Sequence, residues 1–361
     1  MEGRAIGPVG TPAAAAPAAG RRAWGAALKV GVSLALLGVL FARVDRAQMA
    51  ASLRGAALPL LLLCIPLYAV GQVLSTLRWQ ILLAAEGLRV PLWPLALLYS
   101  EGMFFNLFLP TAVGGDVMRG YRIWHLTQGG EGALASILVE RISGFVAMIG
   151  IACAATAAAF ATGTLRDPVV AAFVAGVAAA LAAAISLLVS PSVFRLAERL
   201  AGARAGSGAF QTARRFCEAV QRYRGHGRAV VAALGISLAF QTLIVFLVYL
   251  VALALHLPIA FVQFLIFIPI LNVISMLPIS LSGLGVREGG AIYLLAKIGV
   301  DPAASLTLSL LWFAVVAVTS LPGGLVFLWG GHRAKMRPPR TPRSPNSPRE
   351  AEPRSGVAAS K

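Results

Sequence analysis

The chain has little charge, cysteine or histidine. Only 12% of its 361 residues are charged, against 58% hydrophobic. Soluble domains carry about twice that charged share, and this much apolar surface exceeds what a core of its own size can hide. The three cysteines, Cys64, Cys153 and Cys217, are too few and too scattered for a disulfide framework or a thiolate metal centre. The four histidines, His125, His226, His256 and His332, form no spaced cluster, and the four aspartates, Asp45, Asp116, Asp167 and Asp301, contain no D-x-D pair. A P-loop lysine motif is missing as well. The expectation is a protein that is not an enzyme and needs no cofactor or metal. Acidic residues are scarce too: 14 face 31 Lys and Arg, a net charge of +17. Much of the excess falls within 190–228 and 332–361, which suits anionic lipid headgroups better than nucleic acid.

What the chain does have is long apolar runs. Eight of them, at 24–42, 57–76, 92–113, 133–162, 168–189, 229–255, 259–279 and 305–330, approach or exceed the length that crosses a bilayer, about 20 residues. No run alternates with the period of two that a barrel needs, and unpaired backbone in lipid is costly, so the fold class is an all-α polytopic membrane protein. Residues 1–22 are rich in Ala, Gly and Pro, and 332–361 carry eight Lys or Arg among prolines. Both are expected to be disordered, flanking a transmembrane domain at 23–331.

Charge placement constrains the topology. Residues 190–228 hold eight arginines against Glu198 and Glu218, so this loop, the basic tail and the N-terminus are expected on the cytoplasmic side of the cell membrane. Eight full crossings would put the loop after the fifth run outside. Six full crossings, with the third and seventh runs broken or re-entrant, put all three inside. Within the loop, Phe210, Cys217 and Val220 share one face of an interfacial helix whose other face carries arginines.

The third and seventh runs end alike. The third ends in Asn106-x3-Pro110-x3-Gly114-Gly115-Asp116-x2-Arg119, and the seventh in Asn272-x5-Pro278-x-Ser280-x2-Gly283-x-Gly285-x-Arg287-Glu288. Each reads as an apolar helix, a proline break, a glycine turn and a short second helix opened by an acid and an arginine. The topology sends them in from opposite sides, which is the arrangement of an inverted-repeat transporter. A helix start after a glycine turn presents unpaired N–H groups and a positive dipole end to an anion, and arginine adds fork donors for phosphate oxygens. In the fourth run Glu140 and Arg141 are adjacent, about 100° apart on a helix, so each needs another partner: Arg119 or Arg287 for Glu140, and Asp116 or a substrate phosphate for Arg141. Glu101 is a further buried-carboxylate candidate. Arg78 and Trp79 read as an interface anchor.

Together "NLFLPTAVGGDVMR", "VERISG" and "LPISLSGLGVRE" resemble the lysylphosphatidylglycerol synthase transmembrane-region family of flippase-like membrane proteins, across nearly all of 23–330. The resemblance implies a lipid-handling membrane domain, which in the best-described members moves an aminoacylated phospholipid between leaflets. Members that make the lipid carry a large aminoacyl-transferase domain after the membrane part. Here only a short tail follows, so lipid synthesis is not implied. The expected activity is translocation of an anionic lipid, a phospholipid or polyprenyl phosphate. The alternatives are a membrane-embedded transferase using a lipid-linked substrate, or a partner of a cell-envelope enzyme; a homo-oligomer is compatible with either.

Overall fold

The computed structural model describes residues 31–108, 114–127, 130–163, 167–190, 208–276, 280 and 283–330, with single positions between 192 and 199. The expected leader and tail, Pro110 and Pro278 lie outside the described residues. The described chain is helical: α1 (Gly31–Arg43), α2 (Arg46–Arg54), α3 (Leu58–Ala85), α4 (Leu92–Phe108), α5 (Gly114–Thr127), α6 (Gly130–Ala161), α7 (Pro168–Val189), α8 (Gly208–Arg222), α9 (Gly227–Ala254), α10 (Phe261–Ser275), α11 (Val286–Ala296) and α12 (Pro302–Gly330). Local chemistry fixes several starts. Asp45 accepts from the Ala47 N–H at 2.8 Å, Asp167 from Val169 at 2.9 Å and Asp301 from Ala303 at 2.7 Å, satisfying the first orphan donors of α2, α7 and α12.

Among the described residues five helices, α3, α6, α7, α9 and α12, are long and apolar enough to cross a membrane. The third and seventh apolar runs fall short. α4 has 17 residues and α10 has 15, rising about 26 and 23 Å at 1.5 Å per residue, below the roughly 30 Å of hydrocarbon.

The direction of each helix follows from its contacts. α3 and α9 are antiparallel: Ala57 N–H donates to Ala254 C=O at 2.8 Å, while Arg78 meets Ser237 far along α3 and early in α9. α6 runs with α9, since Leu82, Ala135, Val139, Tyr223 and Ala233 share one cluster. At this first end of the bundle Arg222 pairs with Glu86 at 3.9 Å and with Glu131. The amphipathic face of α8 closes the same end, with Cys217 buried and Tyr223 donating to Leu82 C=O at 2.9 Å. At the second end Lys297, just after α11, bonds Asp167, just before α7, at 2.5 Å, and Val44, beyond α1, packs on Ala303 and Leu306 of α12.

The two broken helices are therefore hairpins entering from opposite ends. Leu95 and Leu98 of α4 and Ile123 of α5 cluster with Trp79, Leu83 and Ala133 at the first end. Phe261, opening α10, stacks edge-on against Tyr249 at 5.4 Å, and α11 exits at Lys297, both at the second end. Small residues let the backbones close up, as lipid-embedded interfaces require. A Cβ on Gly115 of α5 would lie 1.9 Å from the Gly102 carbonyl oxygen of α4, and one on Gly323 of α12 would lie 1.9 Å from Ser100 O. α4 is thus gripped from both sides by glycines.

Candidate functional site

The inner start of the first hairpin carries a ladder of five charged side chains. Arg78 of α3 pairs with Glu140 Oε1 of α6 at 2.9 Å and donates to Ser237 Oγ of α9 at 2.8 Å. Glu140 Oε2 pairs with Arg119 of α5 at 2.5 Å. Arg119 reaches Asp116 Oδ1 at 3.4 Å, and Asp116 Oδ2 pairs with Arg141 of α6 at 2.5 Å. Helix geometry explains the split of Glu140 and Arg141 between different partners, since neighbours on a helix face apart. Of the two arginines the sequence allowed for Glu140, it meets Arg119.

Aromatic and polar neighbours complete the ladder. The Arg119 guanidinium lies 4.2 Å from the Trp79 ring centre and 4.1 Å from that of Tyr99, a cation–π sandwich. Tyr99 Oη also donates to Glu140 Oε1 at 3.1 Å, and Trp79 Nε1 donates to Ser136 Oγ at 3.0 Å. Glu101 of α4 pairs with Arg122 of α5 at 3.3 Å, a separate neutral pair. Asn106 Oδ1 accepts from the Gly115 N–H at 2.8 Å, so the last turn of α4 caps α5.

The second hairpin repeats the theme with fewer charges. Gly285 takes φ +85°, a left-handed conformation that glycine adopts without strain, and opens α11. Glu288 is wholly buried; its Oε2 accepts from the Gly285 N–H at 2.6 Å, and its Oε1 accepts from Arg287 at 2.5 Å and Ser309 Oγ at 3.3 Å. The Arg287 guanidinium lies 5.2 Å from the Phe313 ring centre and borders an apolar cleft with Asn272, Ser309, Phe264, Phe267 and Trp312. Asn272 contacts Met148 Sδ of α6 at 3.6 Å. Ser280 is buried, and its Oγ has no partner among the described residues.

The structure brings Asp116, Arg119, Glu140 and Arg141 together at one hairpin, and Gly285, Arg287 and Glu288 at the other, with Asn272 on the same cleft. The glycine turns stand differently from the sequence expectation. In this conformation the open side of Gly115 is filled by Gly102, that of Gly283 (φ +79°) by Ser275 and that of Gly285 by Leu36, so protein occupies the approach expected for a phosphate. Gly114 is buried at the start of α5.

One sequence reading is corrected. Arg78 and Trp79, expected as an interface anchor, are buried at 6% and 0% exposure and belong to the ladder, because α3 continues to Ala85 and carries them inside the bundle. Tyr99 and Ser237 were also missed. The signal that pointed to them was an arginine within a continuous apolar helix, where a charge needs a partner.

Comparison with known proteins adds one finding. The family described as lysylphosphatidylglycerol synthase TM region matches residues 26–323. No curated protein and no solved structure matches the chain.

Proposed function

Because the chain belongs to the lysylphosphatidylglycerol synthase transmembrane-region family, we propose that it translocates an anionic lipid, a phospholipid or polyprenyl phosphate, across the cytoplasmic membrane. One observation carries the reading: hairpins entering from opposite ends each bring an arginine against a buried carboxylate, Arg119 against Glu140 of α6 and Arg287 against Glu288. Charges at this depth are costly even when paired, and in membrane proteins they mark substrate pathways. An arginine held by a carboxylate is ready to exchange it for phosphate, which has the same fork geometry. The acyl or prenyl chains stay in the bilayer while the headgroup passes from one hairpin to the other.

In this reading the end closed by α8 faces the cytoplasm, since Arg214, Arg215, Arg222 and Arg224 lie on α8 and the turn that follows it. An inside-negative potential then favours outward movement of an anionic headgroup by about 2.3 kcal/mol per charge per 100 mV. Two experiments test the proposal. Purified protein in liposomes should speed the movement of fluorescent phosphatidylglycerol between leaflets. Cysteines placed at Ser207 and Ser355, with Cys64, Cys153 and Cys217 replaced, should resist an impermeant thiol reagent in intact cells. Leaflet exchange no faster than in protein-free liposomes defeats the transport reading, and labelling at Ser207 defeats the orientation.

A further inference from the structure

One face of α3 joins the two hairpins. Tyr68, Gln72, Ser75 and Trp79 recur at intervals of four, three and four residues, so they line a single stripe of an otherwise largely apolar helix. Each end of the stripe touches one hairpin's site. The Arg119 guanidinium lies 4.2 Å from the Trp79 ring centre. The Tyr68 ring stands edge-on to Trp312 at 5.7 Å, and Trp312 lines the cleft that Arg287 borders. From Tyr68 to Trp79 the helix rises about 16 Å, roughly half of the hydrocarbon thickness.

The middle of the stripe holds an unpaired hydroxyl. Hydroxyls inside helices commonly bond back to their own backbone, as Thr76 does to Gln72 O at 2.8 Å, Ser237 to Ala233 O at 2.7 Å and Thr307 to Ala303 O at 2.7 Å. Ser75 does not. It has no exposed surface, and its Oγ, beside Tyr99, finds no hydrogen-bond partner among the described residues. Such a group is a cost to the fold that calls for an explanation. Thr156 of α6 shares the state but lies beyond the stripe: α3 and α6 run in opposite directions from the Arg78–Glu140 pair, which sets Thr156 about 9 Å past the level of Tyr68.

From the placement of the stripe and its unpaired hydroxyl, we infer that Tyr68, Gln72 and Ser75 form an intermediate station for the lipid headgroup between the two hairpins. This rests on the translocase reading and supplies the step that it leaves open. A phosphate or hydroxyl oxygen arriving beside Ser75 gives its Oγ the partner it lacks. The station is neutral, whereas each hairpin presents an arginine. Passage between two strong sites needs a site that binds well enough to be entered and weakly enough to be left. An apolar helix face in its place would strip the headgroup of hydrogen bonds midway. Gln72 and Ser75 each offer a donor and an acceptor, so phosphate oxygens and headgroup hydroxyls are both served.

The test is Ser75→Ala in the purified full-length chain, read three ways. Because the hydroxyl bonds to nothing in the fold, the variant should melt at or above the wild-type temperature. It should retain phosphatidylglycerol in native mass spectrometry as the wild type does, since both hairpin sites are intact. In proteoliposomes it should move fluorescent phosphatidylglycerol between leaflets about tenfold more slowly, the loss of roughly one hydrogen bond to a charged group. Gln72→Met, at a half-buried position, should slow transport with retention likewise kept. Thr76→Ala, whose hydroxyl is occupied by its own helix, and Thr156→Ala, beyond the stripe, should transport at the wild-type rate. Wild-type transport by Ser75→Ala overturns the inference and leaves the translocase reading standing. Slowed transport together with a lower melting temperature or lost retention also overturns it, because Ser75 is then part of the packing or of a hairpin site. No transport of any anionic lipid by the wild type removes the translocase reading and the station with it.

Discussion

Glu140→Gln is the most informative single change to the ladder. The Glu140 carboxylate holds Arg78 at 2.9 Å and Arg119 at 2.5 Å and accepts from Tyr99 at 3.1 Å, all in a buried setting. Glutamine keeps the shape and one acceptor but removes the charge, leaving the three guanidiniums of the ladder, two of them buried, against Asp116 alone. Two magnitudes compete. Were the loss only one of hydrogen bonds within lipid, it would cost about 0.6 kcal/mol, the average measured for such bonds in a helical membrane protein. Stranding buried charges costs about 3–5 kcal/mol. The second effect governs here, because both arginines are buried and Ser237 and the aromatic rings carry no compensating charge. Reversible unfolding in mixed micelles should therefore show a loss of about 3–5 kcal/mol, and Glu140→Gln combined with Arg78→Gln should recover a substantial part of it. A loss under about 1 kcal/mol, with no coupling between the two positions, would refute the ladder as an electrostatic unit.

Two further outcomes follow from the packing and the second end. Gly115→Ala should lower the yield of folded protein, because its Cβ would lie 1.9 Å from Gly102 O, whereas Gly150→Ala, which meets nothing within 4 Å, should be tolerated; size-exclusion profiles of the two proteins make the comparison. The Asp167 carboxyl sits below its ordinary value of 3.8, chiefly because Lys297 donates a hydrogen bond to it. A depressed acid stabilises the fold above its unfolded pKa and loses that contribution as pH falls through the folded one, so the drop in melting temperature on acidification below that ordinary value should be shallower in Asp167→Asn.

How much of this was legible in the sequence depends on the kind of signal. The opposed hairpins were legible because positive charge in 190–228 and in the tail clashes with eight full crossings, and because proline and glycine interrupt both runs after an asparagine. The separate partners of Glu140 and Arg141 followed from helix geometry alone, since adjacent residues face apart. The place of Arg78 was not legible. An arginine beside a tryptophan marks a membrane interface as readily as a buried site, and only the continuation of α3 to Ala85 and the approach of α9 with Ser237 decide between them. The packing of Gly115 was hidden for a related reason: a glycine that admits a ligand and one that admits a neighbouring helix look the same in sequence, and Gly102, its partner, is a single glycine outside the motif that ends its helix. The alkyl and aromatic surfaces between helices, such as the Trp79–Arg119–Tyr99 sandwich, join residues from three segments and carry no spacing for a single chain to reveal.

The central claim is that the hairpin arginines engage lipid phosphate, and Arg287→Lys tests it most directly. Lysine keeps the charge and can still pair with Glu288, which lies 2.5 Å from the arginine, but it loses the planar fork. In proteoliposomes the variant should melt like the wild type and move fluorescent phosphatidylglycerol at least about tenfold more slowly, the loss of roughly one charge-assisted hydrogen bond. An Arg287→Lys protein with full transport activity would make the pair a structural one and contradict the account.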